Sequence, residues 1–135
     1  MARPASKYPT ELELEILKVL WRHGPLTGLA VRDALAPERD LAYTSVMTIL
    51  GIMLEKGYVA RRKSGARFLY RARIGEQATA RGMLRDLVSR VYDGSVEAVL
   101  VSLLESSGLD REEIQRLRQL LSNQLLNDNS TENQP

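Results

Sequence analysis

Residues 43–73 read YTSVMTILGIMLEKGYVARRKSGARFLYRAR, and the fold turns on a change of period inside them. From Tyr43 to Lys56 the apolar positions Val46, Ile49, Leu50 and Met53 recur at helical spacing, so one face packs inward. Gly57 is suited to close that helix, because glycine accepts the left-handed backbone of a C-terminal cap. Beyond it the pattern shortens. Tyr58-Val59-Ala60 and Phe68-Leu69-Tyr70 are β-prone runs joined through Arg61–Arg67, which contains Gly65 and predicts a β-hairpin. Residues 56–73 carry seven Lys/Arg and no Asp/Glu, so the hairpin is expected to hold its cations around its tip, in reach of a polyanion.

Upstream, Thr10-Glu11-Leu12-Glu13 fits a capping box, in which a hydroxyl and a carboxylate satisfy the free N–H groups of a helix start. Leu12, Ile16, Leu17, Val19, Leu20 and Trp21 make an apolar stripe behind it, and His23-Gly24-Pro25 ends it. Thr27 opens a second helix with Leu29, Ala30, Val31, Ala34 and Leu35, stopped near Pro37. Three helices followed by a basic hairpin form a winged helix-turn-helix, expected over residues 9–74 after a flexible arm at 1–8.

Downstream the helical period returns near Glu76. Met83, Leu84, Leu87, Val88, Val91 and Tyr92 form one stripe, broken at Asp93-Gly94. Ser95 caps a segment holding Val96, Val99, Leu100, Leu103 and Leu104. After Gly108, Asp110-Arg111-Glu112-Glu113 offers a second capping box before Ile114, Leu117, Leu120, Leu121 and Leu125. Three short helices with broad apolar stripes cannot bury themselves alone, and a second copy is the simplest cover. A three-helix dimerisation region is therefore expected over 75–126, using Val99, Leu100, Leu103, Leu104, Ile114, Leu117 and Leu121. Folding back on the front domain is the alternative. Residues 127–135 are almost wholly polar and are expected to be a disordered tail. The fold class is mainly α with one small β-hairpin.

Composition limits the chemistry. The chain of 135 residues is 44% hydrophobic and 27% charged, as a soluble globular protein is. Its net charge of +2 conceals an asymmetry: residues 1–73 carry 13 Lys/Arg against 7 Asp/Glu, and residues 74–135 carry 6 against 10. A basic front and an acidic rear point to a polyanion partner at the front. With no cysteine and a single histidine, His23, disulfides, iron–sulfur clusters and zinc or copper sites lack their ligands. No cofactor is expected. The opening residues MARPASKYPT contain no apolar run, and no segment approaches the roughly 20 apolar residues of a membrane span. The expectation is a cytoplasmic protein. There is no glycine-rich phosphate loop and no nucleophile motif, so an enzyme is not expected.

A recognition helix presents its N-terminal residues to base edges in the major groove of double-stranded DNA. Here those residues are Thr44, Ser45, Met47 and Thr48. Hydroxyls donate to or accept from either base type, and the methyl groups suit thymine. A bidentate guanine reader is missing, so methyl contacts and DNA shape are expected to share the specificity. Arg61, Arg62, Lys63 and Arg67 of the wing are the expected phosphate contacts, with a steep salt dependence.

ELELEILKVLW, LAYTSVMTIL, EKGYVARR and FLYRAR, with a looser match from YDGSVEAVLVSLLE to LDREEIQRLRQLL, resemble the BlaI/MecI/CopY (penicillinase repressor) family over roughly residues 9–122. The resemblance implies a dimeric winged-helix repressor on palindromic operator DNA, with Thr44, Ser45, Met47 and Thr48 at the reading positions and Arg61–Arg67 as the wing. After Leu50, relatives commonly carry a polar residue and then arginine, whereas this chain has Gly51 and Ile52; Leu54 is often polar in relatives. The copper-responsive branch uses a cysteine-rich tail that is missing here. The β-lactam-responsive branch is cut in its dimerisation helix by a membrane-bound sensor metalloprotease, and the corresponding bond is Ser102-Leu103. Two other readings remain open at this point: a ligand-responsive winged-helix regulator of another type, and a helical protein-interaction adaptor whose basic hairpin binds acidic proteins.

Overall fold

The computed structural model describes residues 7–132, with side chains through residue 128. The elements run α1 (Glu11–His23), α2 (Gly28–Leu35), α3 (Tyr43–Lys56), β1 (Val59–Ser64), β2 (Arg67–Ala72), α4 (Glu76–Val91), α5 (Val96–Ser106) and α6 (Arg111–Glu132). The chain divides into two compact units, the first ending at Leu87 and the second beginning at Val88.

The starts and stops follow the local chemistry. Thr10 Oγ1 accepts from the Glu13 N–H while the Glu13 carboxylate accepts from the Thr10 N–H, closing the expected capping box. Thr27 caps α2 through the Ala30 N–H, and Ser95 caps α5 through the Ala98 N–H. At the end of α3, Gly57 adopts φ 80°, a left-handed conformation that a Cβ would strain. Ala42 opens α3 without a side-chain cap.

The first unit has one core. Ile16, Leu17 and Leu20 of α1, Val31 and Leu35 of α2, and Val46, Leu50 and Met53 of α3 meet Val59 and Tyr70 of the hairpin, all buried. Each such side chain, fully buried, contributes about 1.5–3 kcal/mol relative to exposure. The hairpin is tied to the helices at its base. Leu26 and Tyr70 exchange backbone hydrogen bonds of 3.0 and 2.8 Å, and Trp21 Nε1 donates to the Ile74 carbonyl at 2.9 Å.

Three expectations are corrected. The strands are longer than the two β-prone runs: pairing continues from Val59↔Ala72 to Ser64↔Arg67. The cause is a two-residue loop, Gly65-Ala66, whose first residue has φ 64°. A positive φ there matches the right-handed twist of the strands, so the ladder closes next to the turn. The wing cations accordingly sit along strands and not only at the tip. The boundary between units falls inside α4, not after residue 74: Thr79 is buried and Tyr8 packs against Gly82, so the first turns of α4 stay with the first unit. Finally, residues 127–132 are helical where a disordered tail was expected; nothing between Arg111 and Glu132 is Gly or Pro, and propagating a formed helix adds one hydrogen bond per residue. Residues 1–6 of the expected arm and 133–135 of the expected tail lie outside the described residues. Tyr8, also assigned to the arm, packs against Gly82 of α4, where a Cβ would come within 3.0 Å of its ring.

In the second unit α5 buries no side chain, and Val96, Leu100, Leu103, Leu104, Ile114, Leu117 and Leu121 are all exposed. Asp93 and Gly94, at φ 52° and 82°, turn the chain out of α4, with the Gly94 N–H returning to the Val88 carbonyl. Among the described residues no helix is long and apolar enough to cross a membrane.

Candidate nucleic-acid interface

α3 and the hairpin carry the candidate interface, and both are fixed by the core of the first unit. Burial of Val46, Leu50 and Met53 sets the rotation of α3 about its axis. Thr44, Ser45 and Thr48 are thereby left exposed on the opposite face. Thr48 Oγ1 donates to the Thr44 carbonyl at 2.9 Å, one helical turn back.

Met47, the fourth expected reader, is placed differently. It is half-buried and packs against the core, with its sulfur against Gly28 at the first turn of α2. A Cβ on Gly28 would collide with that sulfur, so glycine here allows the two helices to approach. Ile52 is 42% exposed, while Leu54 packs against the core.

The hairpin register divides the wing cations between two faces. Directly opposed residues of an antiparallel pair share a face. Arg61 and Lys63 thus share one with Tyr70 and Phe68, whereas Arg62 and Arg67 share the other with Leu69 and Arg71. Arg61 is the most constrained of them. Its guanidinium lies 4.2 Å from the centre of the Phe68 ring, and its Nη1 is 3.5 Å from the Tyr70 hydroxyl. Arg62, Lys63 and Arg67 are exposed. Arg71, also exposed, is a wing cation that the charge run alone did not single out; strict alternation along β2 from Arg67 finds it.

Between α2, α3 and the hairpin runs an open groove of about 480 Å³. Arg32, Tyr43, Met47, Arg67 and Phe68 line it. Arg32 and Tyr43 were likewise not singled out from sequence, since a lone arginine on a polar helix face carries no pattern. Arg32 is paired with its neighbour Asp33 at 2.9 Å.

Behind the interface lies one buried ionic contact. Glu13 of α1 is 3% exposed, and Lys56 Nζ of α3 reaches its two carboxylate oxygens at 3.1 and 2.9 Å. Burial pushes the Glu13 carboxyl up, but the Thr10 N–H and Lys56 outweigh it and hold the group below its ordinary range. Among the described residues no three His, Asp or Glu side chains gather as metal ligands.

Comparison with known proteins places these features in a lineage. A model of the penicillinase repressor family matches residues 9–123. The penicillinase repressor of Bacillus licheniformis is 28% identical over 112 residues, spanning 83% of this chain and 88% of that protein. The transcriptional regulator BlaI of Mycobacterium tuberculosis is 34% identical over 114 residues, spanning 83% of this chain and 81% of that protein. Among solved structures, the oxidized form of MarR from E. coli shares the fold at a TM-score of 0.50 and 17% identity, over 87% of this chain and 76% of that one.

Proposed function

The chain belongs to the penicillinase repressor family, and from that premise we propose that it is a sequence-specific DNA-binding transcriptional repressor acting as a homodimer on a palindromic operator in the cytoplasm. The observation that carries this reading is the exposure of Thr44, Ser45 and Thr48 on one face of α3, within the same compact unit as the basic hairpin. Residues 9–74 bind the DNA. Thr44, Ser45, Met47 and Thr48 face the bases, and Arg61, Arg62, Lys63 and Arg67 meet the phosphates. Met47 does so from its seat against α2, through the edge of its side chain left accessible.

The second unit, from Val88 onward, joins the two copies. The support is the row of exposed apolar side chains on α5 and α6, including Leu103 and Leu104 at 49% exposure each. Faces of that kind, in a protein of this size, mark an association surface. Leu100, Ile114, Leu117 and Leu121, also exposed, complete it together with the half-buried Val99. Two-fold symmetry of the protein then matches a two-fold operator.

Derepression proceeds by cleavage at Ser102-Leu103 in α5, by a membrane-bound sensor metalloprotease. Loss of that helix would separate the copies and lower operator affinity. The bond sits in an 11-residue helix that buries no side chain in the single chain, so local opening to admit a protease costs little.

Gel shifts on the protein's own promoter DNA, at several salt concentrations, test the repressor reading. A specific complex whose affinity falls steeply with salt is expected, with a dimer by analytical ultracentrifugation. Absence of specific binding at low salt would overturn it. For the cleavage step, intact-mass measurement of the repressor from induced cells should show fragments parting after Ser102; an uncut chain under full induction would exclude it.

A further inference from the structure

Resting on the operator reading above, we propose that Thr48 reads DNA through its Cγ2 methyl group, against a thymine C5-methyl, and not through its hydroxyl. The hydroxyl is already engaged: Oγ1 donates to the Thr44 carbonyl at 2.9 Å. A threonine bonded back to its own helix has one preferred χ1, so the bond fixes the side chain as well as using its only donor. Breaking it to donate to a base exchanges one hydrogen bond for another and gains little, and the lone pair left on Oγ1 could accept only from an adenine or cytosine amino group, a contact that Thr48→Val would abolish. Bringing the methyl out of water against another methyl adds to binding without any exchange.

The rest of the helix points the same way. From Tyr43 to Leu54 there is no charged residue, no Asn and no Gln, so the bidentate contacts that distinguish guanine and adenine have no donor set here. Thymine is the one base that presents an apolar group in the major groove. Thr48 is exposed, between the equally exposed Thr44 and Ile52 at four-residue spacing, so its methyl lies in a stripe facing away from the core. The ligand class is therefore a T·A pair, read by the methyl of its thymine.

Two variants and one modified DNA test this. Thr48→Val keeps the branched shape and the methyl and removes the hydroxyl; Thr48→Ser keeps the hydroxyl and removes the methyl. The probe is the protein's own promoter DNA, with single thymines replaced in turn by deoxyuridine, which lacks the C5-methyl. Thr48→Val is expected to bind the promoter within about twofold of the parent, and Thr48→Ser about sixteenfold more weakly, about fourfold for the one methyl-sized group lost in each half-site. In each half-site one deoxyuridine position should weaken the parent by about fourfold and leave Thr48→Ser unchanged. If Thr48→Val lost as much as Thr48→Ser, or no deoxyuridine position affected the parent, the inference would be overturned while operator binding stood. If the parent failed to bind promoter DNA specifically, the operator reading would fall, and this inference with it. Circular dichroism of both variants guards against unfolding, because neither change touches the core.

Discussion

Lys56 in the last turn of α3 closes onto Glu13 in the first turn of α1, its Nζ 2.9 Å from one carboxylate oxygen and 3.1 Å from the other. One carboxylate therefore caps α1 and pins the end of α3. Removing Lys56 leaves a buried carboxylate supported by Thr10 alone. Lys56→Met should destabilise the protein by about 1–3 kcal/mol. The double variant Glu13→Gln/Lys56→Met should recover part of that, since a neutral pair leaves no uncompensated charge. Urea unfolding of the four proteins in the cycle measures the coupling. Strict additivity would show that the ion pair contributes nothing.

The same pair sets an acid limit. The Glu13 carboxyl is held below its ordinary value in the folded state, so it contributes stability that is fully present above the unfolded carboxylate pKa of about 4.3. That contribution is lost as pH falls through the lower folded value. Between neutral pH and about 5, Glu13→Gln should be less stable than the parent by a constant amount. Below that the two should converge. Thermal melts across the range check the sign: a gap that widened on acidification would contradict it.

Half of the role of Glu13 is legible in the order of residues alone. Thr10 and Glu13 stand three apart before an apolar run, and that spacing announces a cap. The second role of Glu13 is not legible there. A carboxylate and an amine separated by 43 residues look in sequence like two solvated charges, and only the packing of α1 on α3 brings them together. The wing is a similar case. Its charge is plain, but which cations share a face depends on register, and the register depends on a two-residue loop that the stretch Arg61–Arg67 does not announce. The seat of Met47 against α2 is not legible there either, because helical spacing gives a direction and not the proximity of Gly28.

Arg61 and Arg62 are neighbours with different duties. Arg61 stacks on Phe68 and contacts Tyr70, so Arg61→Ala should cost about 0.5–1 kcal/mol of stability. Arg62→Ala should cost nothing measurable, having no such stack. The triple change of Arg61, Arg62 and Lys63 to Ala should weaken binding to all DNA sequences alike. It should also reduce the slope of log affinity against log salt by about 0.9 for each phosphate that is no longer neutralised. Unchanged salt dependence would mean that the wing does not touch the phosphates.

Gly51 sits within α3 with nothing within 4 Å of where a Cβ would stand. Gly51→Ala should therefore raise stability by about 1 kcal/mol through helix propensity alone. Differential scanning calorimetry would read this as a higher melting temperature. A drop would mean that the position needs the freedom of glycine in a way its surroundings do not reveal.

Ile52 offers a gain-of-affinity test. Its side chain is 42% exposed, so arginine can be accommodated without disturbing the core. Ile52→Arg should tighten binding to unrelated DNA as well as to the promoter. It should steepen the salt slope by about 0.9 if the new cation reaches a phosphate. Titration of nonspecific DNA at two salt concentrations decides it.

The bare apolar faces of α5 and α6 also have a consequence for gene dosage. Where monomers predominate, the dimer population rises with the square of the protein concentration, by mass action. Operator occupancy then responds to a change in repressor synthesis more sharply than it would for a binder that works alone. Halving the supply would release the promoter over a narrower interval, even with every chain intact.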